Sequence, residues 1–405
     1  MMKMNRMYFL ILLSLCLLIA TGVGLMANLN GLFFTPIADE FHILKGSVSL
    51  TQTISNLAFS FGGIMSPKII KESNFRKVLV LGTIIEVGCT LILTVCTNIY
   101  LMYILHGMRG FMAGVMGFVF VTIVINHWYQ ANVGLITSIA LGFSGLAGAV
   151  FSPVISSVIQ NHGWRTGYIV IAVMMAVLNL PAMFFLPSIK PETKGLKPYG
   201  ESAEISNSTG SSIRSYEITS GRMILMYVYA MFACICTALV SHFPGYTQNL
   251  GLAASVGATM LSISLLANTG GKIILGILVD KIGAKKSLVL FSLLILTALL
   301  IFLYIPMAMT LYVGALLIGL SYSLATVGIV TMSKDLFGVD NFGKTYPKIS
   351  FAGTMANALF ITVIGYLYDY FGNYTITLYI LLGMIIVVLL IVFRVYGIIE
   401  KRKTV

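Results

Sequence analysis

Apolar runs of eighteen or more residues recur along the whole of this chain, from one that begins near Met7 to one that ends near Tyr396. At 1.5 Å per residue each is long enough to cross a hydrocarbon core of about 30 Å. No other feature restricts the fold so severely. Inside a bilayer every backbone N–H and C=O must find a partner within the protein, which leaves helices or a closed barrel. Unbroken apolar runs of this length, with no period-two alternation, select helices. Composition agrees: 58% of the 405 residues are hydrophobic and 9% are charged, where a soluble globular chain carries about 25% charged residues. A soluble protein of this length cannot hide that much apolar surface.

Breaks between the runs predict twelve spans, near 8–35, 48–67, 78–97, 100–125, 133–158, 166–187, 222–246, 254–279, 287–306, 310–331, 348–368 and 375–396. The first run has no small-residue cleavage site closing a short apolar core, so it reads as a retained span and not a removable signal peptide. One long hydrophilic stretch, "KPETKGLKPYGESAEISNSTGSSIRSYEITSGR", interrupts the series. The expected organisation is an N-terminal six-helix bundle over 1–189, a linker over 190–221 and a C-terminal six-helix bundle over 222–405. Of the 25 Lys and Arg, 21 fall in the N-terminus, the C-terminus and the segments after spans 2, 6, 8 and 10. Basic residues stay on the cytoplasmic side, which predicts a multi-pass protein of the cytoplasmic membrane with both termini inside. The net charge of +12 is explained by this one-sided distribution, and no nucleic-acid partner is expected. Cys16, Cys89, Cys96, Cys234 and Cys236 all lie in apolar segments and read as small buried hydrophobes.

The two halves repeat at an offset of 209 residues. Arg76–Lys77 matches Lys285–Lys286, Trp128 matches Phe337, and Gly110, Gly134 and Gly163 match Gly319, Gly343 and Gly372. Two related six-helix halves with a ligand held near the midplane is a known plan for secondary transporters. In the second half, "GILVDKIGAKK" (Gly276–Lys286) resembles the G-x-x-x-D-x-x-G-x-[RK]-[RK] loop of the major facilitator superfamily. The resemblance covers essentially the whole chain: span number, loop pattern and the position of the motif after span 8. It implies an all-α membrane protein of twelve transmembrane helices in two pseudo-symmetric bundles, acting as a monomer. It also implies a gating loop made by Gly276, Asp280, Gly283, Lys285 and Lys286. The first-half copy departs, with Lys71 in place of the Asp and Asn74 in place of the second Gly. Asn tolerates left-handed backbone, so the turn is expected to persist there.

"NGLFFTPIADEF", "GLITSIALGFSGLAGAVFSPV", "HGWRTGYIV" and "SHFPGYTQNLGL" are similar to one branch of that superfamily, the monocarboxylate transporters and the oxalate–formate exchanger. The acidic-Gly-Trp signature that opens span 1 in animal monocarboxylate carriers is absent, which places the likeness with bacterial relatives.

Embedded charges break the repeat. Lys272 falls opposite Gly63, Arg109 opposite Ile318 and Glu86 opposite Ile295. Counting the rise per residue puts Lys272 about 12 Å from the inner edge and Arg109 about 14 Å from the outer one, both near the midplane. An ionised group at that depth costs at least about 2.5–3.5 kcal/mol and demands a partner or a wet cavity. Lys272 reads as the substrate cation, with Gly270 and Gly271 letting a ligand approach the backbone. The resemblance aligns it with a span-8 Arg that binds carboxylate in the branch. Arg109 offers a planar clamp for a carboxylate, and His106 lies one turn away on the same face. A buried structural pair is the competing reading for both cations. Glu86 reads as a partner for Arg109 or a backbone-bonded neutral acid, with a proton-coupling role as the alternative. His242, Asn28, Asn30, Asn268 and Asn357 complete the candidate binding residues, since amides within spans bond either between helices or to ligand. Gly142, Gly145, Gly148 and Pro153 are expected to serve close packing and bending between the halves.

Two embedded cations against one acid favour an anionic substrate. The resemblance implies a second cation in span 11 of a dicarboxylate exchanger, and the 350–369 stretch "SFAGTMANALFITVIGYLYD" holds no Lys or Arg, a departure that argues against a dicarboxylate. The function expected is a secondary active transporter of a small organic anion, a monocarboxylate, by alternating access with proton symport or anion exchange. The alternatives are a proton-coupled exporter of drugs or other amphiphiles, and a membrane sensor with a transporter fold. No nucleophile–base constellation or metal-ligand spacing appears, so neither an enzyme nor a cofactor is expected.

Overall fold

The computed structural model describes residues 6–130, 133–200 and 218–403. By internal contacts the chain forms two compact units, Met1–Ile43 with Ser47–Asn207, and Leu44–Gly46 with Ser208–Val405. Residues 201–217 of the polar stretch and the surroundings of Gly343 lie outside the described residues.

In the first unit, α1 (Arg6–Ile19) is apolar and runs into a π-helical turn at Ala20–Leu25, then a 3-10 turn at Asn30–Phe33 and α2 (Phe34–Phe41). The irregularity falls where side chains are smallest. A methyl group on Gly24 would stand 2.7 Å from Ala147 Cβ and 3.0 Å from the Ser144 carbonyl oxygen. Of the span-5 residues expected to pack between the halves, Gly148 instead lies against the first span of its own unit, its backbone nitrogen 3.4 Å from that methyl position. The other elements are α3 (Lys45–Ile69), α4 (Phe75–Leu93), α5 (Ile99–Met116), α6 (Phe118–Trp128) and α7 (Val133–Phe185). In α7, Gly163 takes φ 80° and ψ 164° and breaks the 53-residue element into two spans.

After α7 the chain folds back. Trp128 Nε1 donates to Ser188 O at 3.0 Å, the Tyr199 amide donates to Trp128 O at 2.8 Å, and the Gln130 amide donates to Tyr199 O at 2.9 Å. Tyr8, Trp128, Tyr129 and Tyr199 meet edge-on or tilted with ring centroids 5.4–6.3 Å apart.

The second unit contains α8 (Ser220–Ala238), α9 (Phe243–Asn249), α10 (Ala254–Ile282), α11 (Ala284–Tyr304), α12 (Ala308–Ser321), α13 (Val327–Phe337), α14 (Val339–Phe371) and α15 (Thr375–Lys403). Among the described residues nine segments are long and apolar enough to cross a membrane, where twelve were expected. One of the nine is α7, which holds two spans on either side of Gly163. Helices α3 and α4 stand where spans 2 and 3 were expected but are not among the nine. The first is rich in serine, threonine and amides, and the second carries Arg76, Lys77 and Glu86. Large apolar side chains such as Ile104, Val173, Phe184 and Ile273 remain exposed, as a lipid-facing surface requires.

The duplication is visible in three dimensions at its tightest contacts. A methyl group on Gly62 would run into Phe111 O, and one on Gly271, its counterpart, would run into Leu320 O. Gly110 meets Ser55 O at 2.5 Å by the same measure, and Gly319 meets Ser264 O at 2.5 Å. All four pairs follow the offset of 209. Gly163 and Gly372 share positive φ, at 80° and 71°. Such backbone-on-backbone approach is how membrane helices associate without a hydrophobic driving force between them.

Gly271 therefore belongs to the scaffold, and the expectation that it opens the backbone to a ligand is corrected. Gly270 meets nothing within 4 Å. Gly271→Ala is expected to cost about 1–3 kcal/mol from overpacking against a backbone that cannot yield, while Gly270→Ala is neutral or favourable through helix propensity. Thermal unfolding midpoints of the two variants in detergent check this; equal midpoints would refute it.

Candidate functional site

Within the first unit the embedded cation is placed by two fixed points. Asn98 caps α5, its side chain accepting from the Tyr100 amide at 2.8 Å, and Gly110 is pressed onto Ser55. Arg109, between them, is 1% exposed. One guanidinium nitrogen lies 3.0 Å from His106 Nδ1, and the group sits 5.6 Å from the Tyr168 ring centroid. Its Nε has no hydrogen-bond partner, and among the described residues no carboxylate lies within 4 Å. Tyr168 is fixed in turn: it stacks on Phe33 at 4.1 Å and meets Trp164 edge-on at 6.0 Å. Trp164 Nε1 donates to Glu40 at 2.6 Å, and Arg165 pairs with the same carboxylate.

Glu86 is equally buried, at 1% exposed, but does not pair with Arg109. Its Oε2 accepts from Asn179 Nδ2 at 3.5 Å, and its Oε1 has no partner. Asn179 joins it to Thr83 at 3.3 Å and accepts from Thr21 at 2.7 Å, in the π-helical turn of the first span. The expected Arg109 partnership is thus replaced by a neutral amide–hydroxyl network. Asn28 Nδ2 donates to Ser144 O at 3.0 Å, and Asn30 Nδ2 reaches Thr51 Oγ1 at 3.5 Å; both tie the first span to neighbouring helices.

In the second unit Lys272 lies on α10 and is exposed, with no hydrogen bond or ion pair among the described residues. Leu266, Ile273 and Ile277 form the exposed apolar stripe of that helix. Lys272 stands roughly 100° away from Ile273, at 3.6 residues per turn, in a row with Asn268 and the buried Leu261 and Leu265. It does not share the lipid-facing stripe. Asn268 Oδ1 is buried without a donor. The repeat changes in residue type here: Asn268 and Ser323 replace Phe59 and Gly114, which in the first half meet closely, Gly114 against the Phe59 carbonyl. Asn357 Nδ2 donates to Cys234 O at 2.8 Å and to Thr237 Oγ1 at 2.9 Å. His242 Nε2 lies 2.8 Å from Ile361 O. These two side chains hold α14 to the segment that begins with α8.

The loop motif differs between its two copies. Gly283 joins α10 to α11 at φ 88°, and Lys285 pairs with Glu400 at 3.0 Å. Gly276 meets nothing within 4 Å, while Asp280 and Lys286 are exposed. In the first half Asn74 has φ −126°, not the left-handed value expected. Its side chain makes the turn instead, accepting from the Lys71 amide at 2.8 Å and donating to Ile69 O at 3.0 Å.

A duplicated set of apolar helices with unpaired cations inside two of them defines a class, the secondary transporters of membranes. The family model of the Major Facilitator Superfamily matches residues 13–346 and again 243–404. The chain belongs to this family, whose members are transporters and not enzymes, and it is a multi-pass membrane protein. It is 21% identical over 322 residues to the uncharacterized MFS-type transporter YhjX of Escherichia coli (strain K12), covering 75% of this chain and 77% of that one. It is 22% identical over 285 residues to the oxalate:formate antiporter of Oxalobacter formigenes, covering 70% and 66%. With the uncharacterized MFS-type transporter YcxA of Bacillus subtilis (strain 168) it shares 24% over 168 residues, 41% of either chain. A crystal structure of the nucleoside transporter NupG superposes with a TM-score of 0.74 at 13% identity, over 95% of this chain and all of that one. A bacterial homolog of the human lysosomal transporter Spinster gives 0.67 at 14%, over 98% of each. At such identities the structures establish the fold.

Sequence reading missed Tyr168, Asn179, Thr83 and Thr21. Only Tyr168 left a trace, four residues after Trp164 in "HGWRTGYIV" and so on the same helix face.

Proposed function

We propose that this protein carries a small organic anion, a monocarboxylate, across the cytoplasmic membrane by alternating access, with Lys272 as the ammonium that meets the carboxylate. The observation that carries the reading is an unpaired Lys272 well inside a membrane-crossing helix, off its lipid-facing stripe. Holding a cation well inside a membrane-crossing helix without a counter-charge is costly, and an anionic ligand supplies that charge. Arg109, without a carboxylate within 4 Å, is a second cation available to a substrate or to coupling. The 22% identity to an oxalate:formate antiporter supports an organic anion, and the lack of a Lys or Arg over residues 350–369 favours one carboxylate over two. Both termini and the basic loops are assigned to the cytoplasm by the Lys and Arg distribution. Glu86, buried and without a cation partner, is the proton-coupling candidate.

Purified protein in liposomes tests this with short-chain monocarboxylates. Accumulation driven by an imposed pH gradient into an empty lumen identifies proton symport. Uptake that requires an acid preloaded inside identifies exchange. No uptake of any small acid in either arrangement, with export of an amphiphilic dye instead, would sink the reading.

A further inference from the structure

The loop between α3 and α4 departs from its repeat by placing Lys71 and Glu72 where the second half has Asp280 and Lys281. The structure shows what this departure builds. The Glu72 carboxylate accepts from the Ile189 amide at 3.1 Å, the Lys190 amide at 3.2 Å and Thr193 Oγ1 at 3.1 Å. The chain leaving α7 is thereby drawn onto the loop. The result is a cleft of about 310 Å³ that Lys71 and Lys190 both line. Its remaining wall is largely apolar, formed by Pro67, Ile70, Phe120 and Ile123, with His127 beside them. Neither lysine has an ion-pair partner among the described residues, and Glu72 already holds three donors. Glu72 lines the cleft beside them with its carboxylate turned to the Ile189 and Lys190 amides and Thr193, so the lining carries two ammonium groups and one carboxylate, a net positive charge beside an apolar wall.

We infer that this cleft binds an anionic phospholipid of the cytoplasmic leaflet, its phosphate between Lys71 and Lys190 and its glycerol and first acyl carbons against Pro67, Ile70, Phe120 and Ile123. A soluble anion would use the rim alone. A phospholipid uses rim and wall together, and the cytoplasmic leaflet supplies anionic headgroups where basic residues attract them. The inference rests on the cytoplasmic placement of this loop, not on which anion is transported. It gives the altered loop copy a purpose: the acid and base exchange places, so that Lys71 lines the cleft and Glu72, turned to the chain after α7, holds Lys190 beside it.

The test is native mass spectrometry of the full chain from nanodiscs containing phosphatidylglycerol and phosphatidylcholine. Wild type is expected to retain phosphatidylglycerol selectively. Each basic residue near an anionic surface contributes about 1 kcal/mol, so Lys71→Gln with Lys190→Gln should weaken retention about 30-fold, roughly 2 kcal/mol at 1.4 kcal/mol per decade. Phosphatidylcholine should be unaffected. Unchanged phosphatidylglycerol retention in the double variant would overturn the proposal. So would its displacement from wild type by millimolar glycerol 3-phosphate, which would mark a site for a soluble anion. A readout on wild type alone guards against a variant that fails to fold. Hydrogen exchange at the Ile189 and Lys190 amides should slow in phosphatidylglycerol relative to phosphatidylcholine, and equal exchange in both would also overturn it.

Discussion

Lys272→Ala is expected to abolish monocarboxylate uptake by reconstituted protein while leaving insertion and thermal unfolding unchanged. The two halves of this expectation come from one observation: Lys272 is exposed and has no protein partner among the described residues. Removing it orphans no buried group, so the usual penalty for breaking a pair does not arise. The ligand, by contrast, loses the cation that meets its carboxylate. Truncating one side of such a pair costs about 2–5 kcal/mol, at least about thirty-fold in affinity. Lys272→Arg keeps the charge and should retain part of the uptake, whereas Lys272→Gln should resemble the alanine variant. Substrate protection offers a second check, because a carboxylic acid that raises the unfolding temperature of wild type should not do so for Lys272→Ala. Full uptake by the alanine variant would remove the central claim.

Arg109→Met is expected to lose transport and to gain stability. A guanidinium that is 1% exposed, with Nε unsatisfied and no carboxylate within 4 Å, is a liability to the folded unit. Replacing a buried charge that has no carboxylate partner with an apolar side chain of similar length relieves desolvation and leaves His106 and Tyr168 to readjust. A residue retained at that cost is retained for its activity. Uptake should fall at least about a hundredfold, and the unfolding midpoint should be equal or higher. Lys at this position should not rescue, because it lacks the planar fork that fits between His106 and the Tyr168 ring. Tyr168→Phe keeps the ring and should preserve uptake, while Tyr168→Leu should raise the KM. A lower midpoint with normal uptake in Arg109→Met would identify the residue as structural instead.

Much of the architecture was legible because a bilayer admits so few solutions. Unbroken apolar runs announce helices, and the shared offset of Gly110 and Gly319 announced the duplication before any contact was seen. Charges embedded in apolar runs were legible for the same reason: Lys272, Arg109 and Glu86 stand out against their surroundings. What surrounds them was not. The partnership of Glu86 with Asn179, and of Arg109 with Tyr168, depends on rotamers and on helices distant in sequence, and amides and tyrosines inside spans carry no signature of their own. Gly271 shows the limit from the other side. Beside Lys272 it looked like room for a ligand, and only its match to Gly62 across the repeat, with Leu320 pressed against it, reveals a packing residue. Asn74 misled because two devices make the same turn, left-handed backbone in one copy and a side-chain hydrogen bond in the other.

The paired glycine contacts also decide where each unit can flex. Where Gly62 lies on Phe111, and Gly271 on Leu320, main chain meets main chain with no side chain between to change rotamer. Close-packed matter of this kind does not compress or stretch by degrees. Helices α3 with α5, and α10 with α12, must therefore travel as girders, each pair keeping its spacing through any cycle. Bending within a unit falls to the segments outside regular α-helix: the Ala20–Leu25 and Asn30–Phe33 turns of the first span, and the Tyr322–Ala325 turn that follows α12. The polar groups Thr21 and Asn30 sit in those first-span joints, so a change in their hydrogen bonds acts on a hinge and not on a beam.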